Sequence, residues 1–211
     1  MKLTLASSLL ASAALLMVGC AKNPAENVNE ANVNEASGTK PPAAPAADAA
    51  ALDIDADGST IGFVGSKVTG SHDGGFKSFS GLLAVKDGKL VAPGSTVEID
   101  MTSTWSDNEK LTGHLKSPDF FDVEKYPTAT FTFTSVEAGE GNAVKVTGDL
   151  AFHGVTKSVT FDAEVEASDE AASLKAEFFI KRFDFNIKYP GKTDDLIRDE
   201  VVIKLDVKAG A

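Results

Sequence analysis

Apolar and polar residues alternate with a period of two in a series of short segments between residues 60 and 207. The clearest run is 128–134, in which threonines alternate with Ala129, Phe131 and Phe133. Such alternation is typical of a β-strand with one buried and one solvated face. The same pattern predicts strands over 60–68, 76–85, 97–105, 128–136, 144–152, 159–165, 174–180 and 201–207.

Short turns join these predicted strands. Asp87-Gly88 is a strong hairpin signal, and His153-Gly154 and Ser168-Asp169 mark two further reversals of the chain. Seven or eight strands of similar length joined by tight turns predict an all-β, antiparallel meander. Such a meander packs either as a sandwich or as a closed barrel, and the pattern alone leaves both open.

Residues 107–125 depart from the period of two. Leu111 and Leu115 lie at helical spacing, so a short helix can press one apolar edge inward. Phe120 and Phe121 follow, and they are too apolar for a solvated loop. The pattern therefore predicts a short helical segment over about 107–125 that packs against the strands.

The first 19 residues have the features of a signal peptide. Lys2 supplies the positive start, residues 3–18 form an uncharged apolar run, and Cys20 follows a small residue. The run is short for a membrane span. The ending Met-Val-Gly-Cys resembles a bacterial lipobox, so we expect Cys20 to be lipidated after cleavage. Plain secretion after a cut near residues 11–13 is the alternative.

Residues 20–51 are rich in Ala, Asn, Pro and Glu and have almost no large apolar side chain. A segment of this composition buries too little surface to offset the entropy lost on ordering. We predict a disordered tether from the lipidated cysteine to one domain at residues 52–211.

Charge and cysteine content exclude several classes of function. The formal net charge of −11 disfavours nucleic acid as a partner, because phosphate backbones need a basic surface. Cys20 is the only cysteine, and lipidation would consume it. Thiol catalysis and cysteine-based metal sites are therefore excluded.

The sequence offers little for catalysis. It contains no Gly-x-Ser-x-Gly motif, and His72, His114 and His153 fall in different predicted elements. His114 beside Glu109 or Asp119 could form an acid–base pair, although a histidine there more often completes a helix end. We predict that the protein is not an enzyme and has no metal site and no cofactor other than a bound lipid.

Two long motifs resemble the YceI family of lipocalin-like, polyisoprenoid-binding proteins. They are HLKSPDFFDVEKYPTATF at residues 114–131 and GDLAFHGVTKSVTFDAEV at residues 148–165. One departure is Asn186, where family members often carry glycine. The resemblance implies an extended eight-stranded antiparallel barrel, with the helical segment closing one end and an apolar lumen inside.

The resemblance also gives the aromatic faces a role. Closed core is the alternative for the same side chains, because stacked aromatic rings are ordinary in protein interiors. Under the family reading, Phe120, Phe121 and Tyr126 form a lid. The lumen-lining residues would be Met101, Phe131, Phe133, Leu150, Phe152, Phe161, Phe178 and Ile180.

The expected function is that of a cell-envelope lipoprotein that binds an isoprenoid or related lipid as a carrier, sink or stress-protective binder. The acidic charge favours a neutral head such as a quinone or amide over a diphosphate. Ala21 rather than aspartate follows Cys20, which favours the outer membrane, facing the periplasm. A soluble periplasmic or secreted form is the alternative location.

A second hypothesis for the function also stays open. It is an envelope stress or structural lipoprotein with a closed barrel that acts through protein contacts. A membrane redox protein and a second copy of the chain also stay open as partners.

Overall fold

The computed structural model describes residues 21–36, 44–46 and 48–210, and the predicted signal peptide and Cys20 lie outside them. No helix in this part of the chain is long and apolar enough to cross a membrane. The α-helix α1 spans Glu109–Lys116, and 3₁₀ turns span Pro24–Asn27, Met101–Ser103 and Arg182–Phe185. The strands are β1 (Asn32–Glu35), β2 (Ala50–Asp53), β3 (Thr60–Lys67), β4 (Gly70–Phe76), β5 (Phe79–Lys86), β6 (Lys89–Asp100), β7 (Thr104–Ser106), β8 (Thr128–Ala138), β9 (Ala143–Phe152), β10 (Val155–Ala167), β11 (Ala171–Lys181), β12 (Gly191–Lys192), β13 (Asp195–Leu196) and β14 (Glu200–Gly210).

One antiparallel sheet curls until its two ends meet. β3 pairs with β14 on one side and with β4 on the other. β4 continues into β5 across Lys77 and Ser78, and β5 pairs with β6. From β6 the pairing runs through β8, β9, β10 and β11 back to β14, so the sheet forms a barrel.

The barrel has the eight strands expected from the sequence, and three of them are interrupted. β2 with β3 forms the first strand, β4 with β5 the second, and β6 with β7 the third. The 3₁₀ turn Met101–Ser103 causes the third interruption. The predicted all-β, antiparallel barrel is confirmed. Its sheet contains twelve strand segments, which give eight barrel strands only when the interrupted ones are joined, and β1 and the small β12–β13 hairpin are additions to it.

The two ends of the barrel differ in packing. We call the end with the turns at 87–88 and 168–170 the lower end, and the end with α1 and residues 182–198 the upper end. Near the lower end Val85 and Val146 are both fully buried, and Leu90 is almost so. Side chains therefore fill the lower end, because buried positions there face one another at van der Waals distance.

The helix is shorter than the predicted segment of about 107–125. Asn108 caps its first turn, where the side-chain Oδ1 accepts from the Leu111 N–H at 3.1 Å. Ser117 ends it, because a residue that precedes proline is disfavoured in the helical conformation. Residues 117–125 are mostly turns, and Asp122 has a positive φ of 47°.

Residues 21–35, here called the strap, differ from the predicted disordered tether. The Ala21 N–H donates to the Val68 carbonyl at the upper end, at 3.1 Å. Ala25 then packs on Val64 and Val202 outside the barrel, and β1 pairs with β10. Composition does not predict this ordering, because small side chains, with strand hydrogen bonds, hold the strap on a surface that is already formed.

The 3₁₀ turn Arg182–Phe185 allows a matched test of core packing. Phe185 is 0% exposed and Phe183 is 46% exposed. Phe185→Ala should lower the free energy of unfolding by about 3–5 kcal/mol, because it leaves a cavity in the core. Phe183→Ala loses mainly a contact with the Arg182 guanidinium and should cost about 1 kcal/mol or less. Urea denaturation measures both losses, and equal values would contradict this packing.

Candidate ligand-binding cavity

The barrel encloses a cavity of about 220 Å³. Its wall is almost entirely apolar, because the inward positions of the strands carry aromatic and aliphatic side chains at every second residue. The wall begins at Leu83 and Val207 in the lower half and reaches Leu115 and Arg182 at the upper end. The cavity is therefore elongated along the barrel axis.

All eight residues predicted to line the lumen lie on the cavity wall. Phe161 and Phe178 stack with their ring centroids 4.3 Å apart, and Phe131 packs on Phe161 at 5.8 Å. That these side chains contact a bound lipid stays a prediction. The predicted residues on the wall are Met101, Phe131, Phe133, Leu150, Phe152, Phe161, Phe178 and Ile180.

Four further residues of the cavity wall were not predicted from the sequence. Ile61, Phe63, Ile203 and Leu205 also line the cavity, from β3 and β14. Apolar and polar residues alternate in both strands, so the sequence contained the pattern that predicts these inward-facing side chains.

Two of the three predicted lid residues cover the upper end. Phe121 contacts Phe63 at 6.0 Å and Phe152 at 5.8 Å between ring centroids, which ties the turn after α1 to two strands. Phe120 packs on Tyr189, at 5.3 Å, and so joins the same turn to residues 182–198. Both phenylalanines are buried and both lie on the cavity wall.

Tyr126, the third predicted lid residue, is absent from the cavity wall. Its ring packs on His153, at 4.9 Å, over the turn between β9 and β10. Gly154 in that turn has a positive φ of 78°, and a Cβ there would lie 2.7 Å from the tyrosine ring. Tyr126 shares its parity with Thr128 and Thr130, on the polar side of β8, so alternation places it outside.

A buried guanidinium holds the chain over the upper end. Arg182 is 4% exposed. Its Nη1 donates to the Ile187 carbonyl at 2.7 Å, its Nε to the Arg198 carbonyl at 2.9 Å, and its Nη2 to the Ile197 carbonyl at 3.1 Å. Burial lowers the pKa of Arg182, and the nearby Asp199 partly opposes that shift. The three carbonyls compensate the buried charge and fix the loop.

Two lysines near the upper end have acidic partners. Lys181 pairs with Glu30 at 2.6 Å on the outer surface. Lys67 pairs with Asp195, and this hydrogen bond lowers the pKa of Asp195, with burial opposing it. An anionic lipid head would need several basic side chains to gather at the cavity, and among the residues that the structure describes only Arg182 and Arg198 reach its wall.

The histidines lie apart from one another and from the cavity wall. His114 Nε2 is 2.9 Å from Asp119 Oδ2 in an exposed pair, and the histidine ring packs on Phe120. His153 Nδ1 lies 2.9 Å from the Phe185 carbonyl, which ties the β9–β10 turn to the 3₁₀ turn. Across the described residues, no three or more His, Cys, Asp or Glu side chains are placed to hold a metal ion.

A closed antiparallel barrel of eight strands around an apolar cavity is the architecture of lipocalin-like binding proteins. Residues 52–209 match the family described as the YceI-like domain, and the chain belongs to this family. A UPF0312 protein of Pseudomonas putida KT2440 is 37% identical over 137 residues, which are 62% of this chain and 71% of that protein. Protein YceI of Escherichia coli O157:H7 is 39% identical over 121 residues, 54% of this chain and 63% of that protein.

Solved structures share the fold. BcnA of Burkholderia cenocepacia superimposes with a TM-score of 0.67 at 26% identity, and the match covers 74% of this chain and 99% of that structure. A polyisoprenoid-binding domain from Saccharophagus degradans superimposes with a TM-score of 0.63 at 21% identity, covering 77% of this chain and 99% of that structure.

The different positions of Phe121 and Tyr126 give a test of the lid. The probe is N-phenyl-1-naphthylamine, a neutral dye whose fluorescence rises in apolar surroundings. Phe121→Ala should raise the dissociation rate of the dye by about tenfold, equivalent to about 1.4 kcal/mol. Tyr126→Ala should lower the melting temperature without changing that rate, because Tyr126 does not contact the cavity. Stopped-flow fluorescence measures the rates, and equal rates in the two variants would remove the lid role of Phe121.

Proposed function

We propose that the protein binds an isoprenoid or related amphiphilic lipid in its barrel cavity and serves as a carrier, sink or stress-protective binder in the cell envelope. The observation that carries this proposal is the almost wholly apolar wall of an elongated cavity. Burial of apolar surface contributes about 0.8 kcal/mol per methylene, so a hydrocarbon chain is held without any polar contact. The related domain described as polyisoprenoid-binding supports the same ligand class.

The dimensions of the cavity narrow the ligand class. Its volume of about 220 Å³ is below the range of roughly 300–1,000 Å³ that is usual for sites of drug-sized ligands. A slender chain suits such a site. We propose that part of the chain occupies the cavity and that the head stays at the upper end.

A neutral head, such as a quinone or an amide, agrees best with the charges at that end. The Arg182 donors already serve three carbonyl groups, and Lys181 and Lys67 are paired with acids. The net charge of −11 adds a general repulsion of anions.

The proposed location is the outer membrane, facing the periplasm, with a lipid anchor on Cys20. The Met-Val-Gly-Cys ending and the Ala21 that follows it support this location. A soluble periplasmic or secreted form is the alternative.

The competing function is a structural or stress lipoprotein that acts through protein contacts. That function needs no cavity, whereas the barrel has one, so the cavity favours lipid binding. A membrane redox protein or a second copy of the chain stays a proposal as a further partner.

Filling the cavity should abolish binding without unfolding the barrel. Leu150 and Asp149 are neighbours on β9, and Leu150 lies on the cavity wall. Leu150→Trp should weaken binding of the naphthylamine dye by at least about tenfold, because the indole occupies the ligand volume. Asp149→Asn is the control and should bind normally. If the unsubstituted protein shows no saturable binding of the dye, the proposed function is overturned.

Native mass spectrometry of the protein purified from its own host should identify the head group. We expect a bound isoprenoid or related lipid with an uncharged head, because Arg182 already donates to three carbonyl groups and Lys181 and Lys67 are paired with acids. Recovery mainly with polyprenyl phosphates would contradict the neutral head while leaving the cavity as a lipid site.

A further inference from the structure

The barrel wall has a gap between β10 and β11. These strands pair only through residues 164–167 of β10 and 172–175 of β11. The last pair toward the upper end is Glu164 with Lys175. Four residues further along each strand, the same register would place Thr160 opposite Phe179, but no pairing joins the two strands there.

The strap fills this gap. On one side, β1 pairs antiparallel with β10, with Asn32 opposite Thr160. On the other side, the Ala31 N–H donates to the Phe179 carbonyl at 2.9 Å, and the Phe179 N–H donates to the Asn29 carbonyl at 2.9 Å. Residues 29–35 therefore lie between β10 and β11 as an extra strand of the wall.

The side chains of the inserted strand alternate as those of a barrel strand do. Ala31 is 3% exposed and belongs to the main core, and Val33 packs against the same core. Asn32 and Asn34 face outward, where the Asn34 Nδ2 donates to the Asn32 Oδ1 at 2.9 Å. The strap is thus a wall element rather than a chain resting on the outside.

The gap lies directly over the cavity. Val159 and Phe161 on β10 and Phe178 and Ile180 on β11 flank it, and all four side chains line the cavity. Phe161 and Phe178 stack beneath the strap. They would be opposite each other if the register of Glu164 with Lys175 continued toward the upper end. Removal of residues 29–35 would therefore leave the stacked Phe161 and Phe178 rings as the barrier between the middle of the cavity and the outside.

The strap is a short element of the wall. It spans the gap for only a few residues, and its ion pairs, Lys181 with Glu30 and Lys157 with Glu35, are at the surface, where such pairs contribute little. The lower end is packed, and Arg182 fixes the loop over the upper end. Segments with few buried contacts open locally at a low free energy.

The strap lies outside residues 52–209, which match the family. We infer that residues 29–35 form a gate strand over a lateral entrance, and that the apolar chain of the ligand enters and leaves between β10 and β11 when this strand detaches. This inference rests on the proposed function and adds to it the route of the ligand.

A disulfide across the gate tests the inference. Asn34 and Ser158 are directly paired across β1 and β10, a spacing that a disulfide can bridge. The full chain carrying Cys20→Ser, Asn34→Cys and Ser158→Cys has no other thiol. When oxidised, it should bind and release the naphthylamine dye at least about tenfold more slowly, with an unchanged dissociation constant. Reduction should restore the rates.

The matched control is Lys145→Cys with Asp162→Cys, which joins β9 to β10 at a pair that does not cross the gap. Its oxidation should leave the dye kinetics unchanged. Equal rates in the locked and control proteins would overturn the gate strand and leave the proposed function intact.

Hydrogen exchange without ligand separates the two proposals further. The Phe179 amide, bonded to Asn29, should exchange faster than the β11 amides that pair with β14, and the lock should slow it. If the dye does not bind at all, the proposed function fails. A Phe179 amide whose exchange is slow and insensitive to the lock overturns the gate.

Discussion

The stack of Phe161 on Phe178 is the contact on which the upper half of the barrel depends. The backbones of β10 and β11 separate above Glu164 and Lys175, and these two rings meet across the separation at 4.3 Å. They form the floor on which the inserted strand rests and, at the same time, part of the wall of the cavity. This one aromatic pair therefore both holds β10 and β11 together and shapes the cavity.

The buried guanidinium of Arg182 at the upper end is held by carbonyl groups, without a carboxylate in contact. Arg182 continues the inward face of β11, where the preceding inward residues are Phe178 and Ile180, so it places a cation at the margin of an apolar space. Its donors turn away from that space to three carbonyls of residues 187–198. The loop is therefore rigid where it passes over the cavity, and the cavity wall stays apolar up to its end.

Much of this architecture could be predicted from the sequence. The period of two predicts the barrel strands and the inward-facing phenylalanines. The motif at 114–131 predicts the aromatic side chains that cover the upper end. Tyr126 was assigned by its nearness to Phe121, although its parity with Thr128 places it outside. The strap escaped prediction because Ala31 and Val33 bury little surface, and their fit depends on a gap that only the tertiary register of β10 and β11 creates.

If Cys20 is lipidated, the hydrogen bond from Ala21 to Val68 also affects how the barrel is oriented on a membrane. A disordered tether of some thirty residues would let the barrel reorient freely beside the bilayer. Because Ala21 is itself bonded to the β3–β4 turn, a chain anchored at residue 20 would have no such slack. If Cys20 carries the proposed anchor, the acyl chains leave the protein at the rim of the upper end, and the barrel is oriented with its head-group end toward the lipid surface.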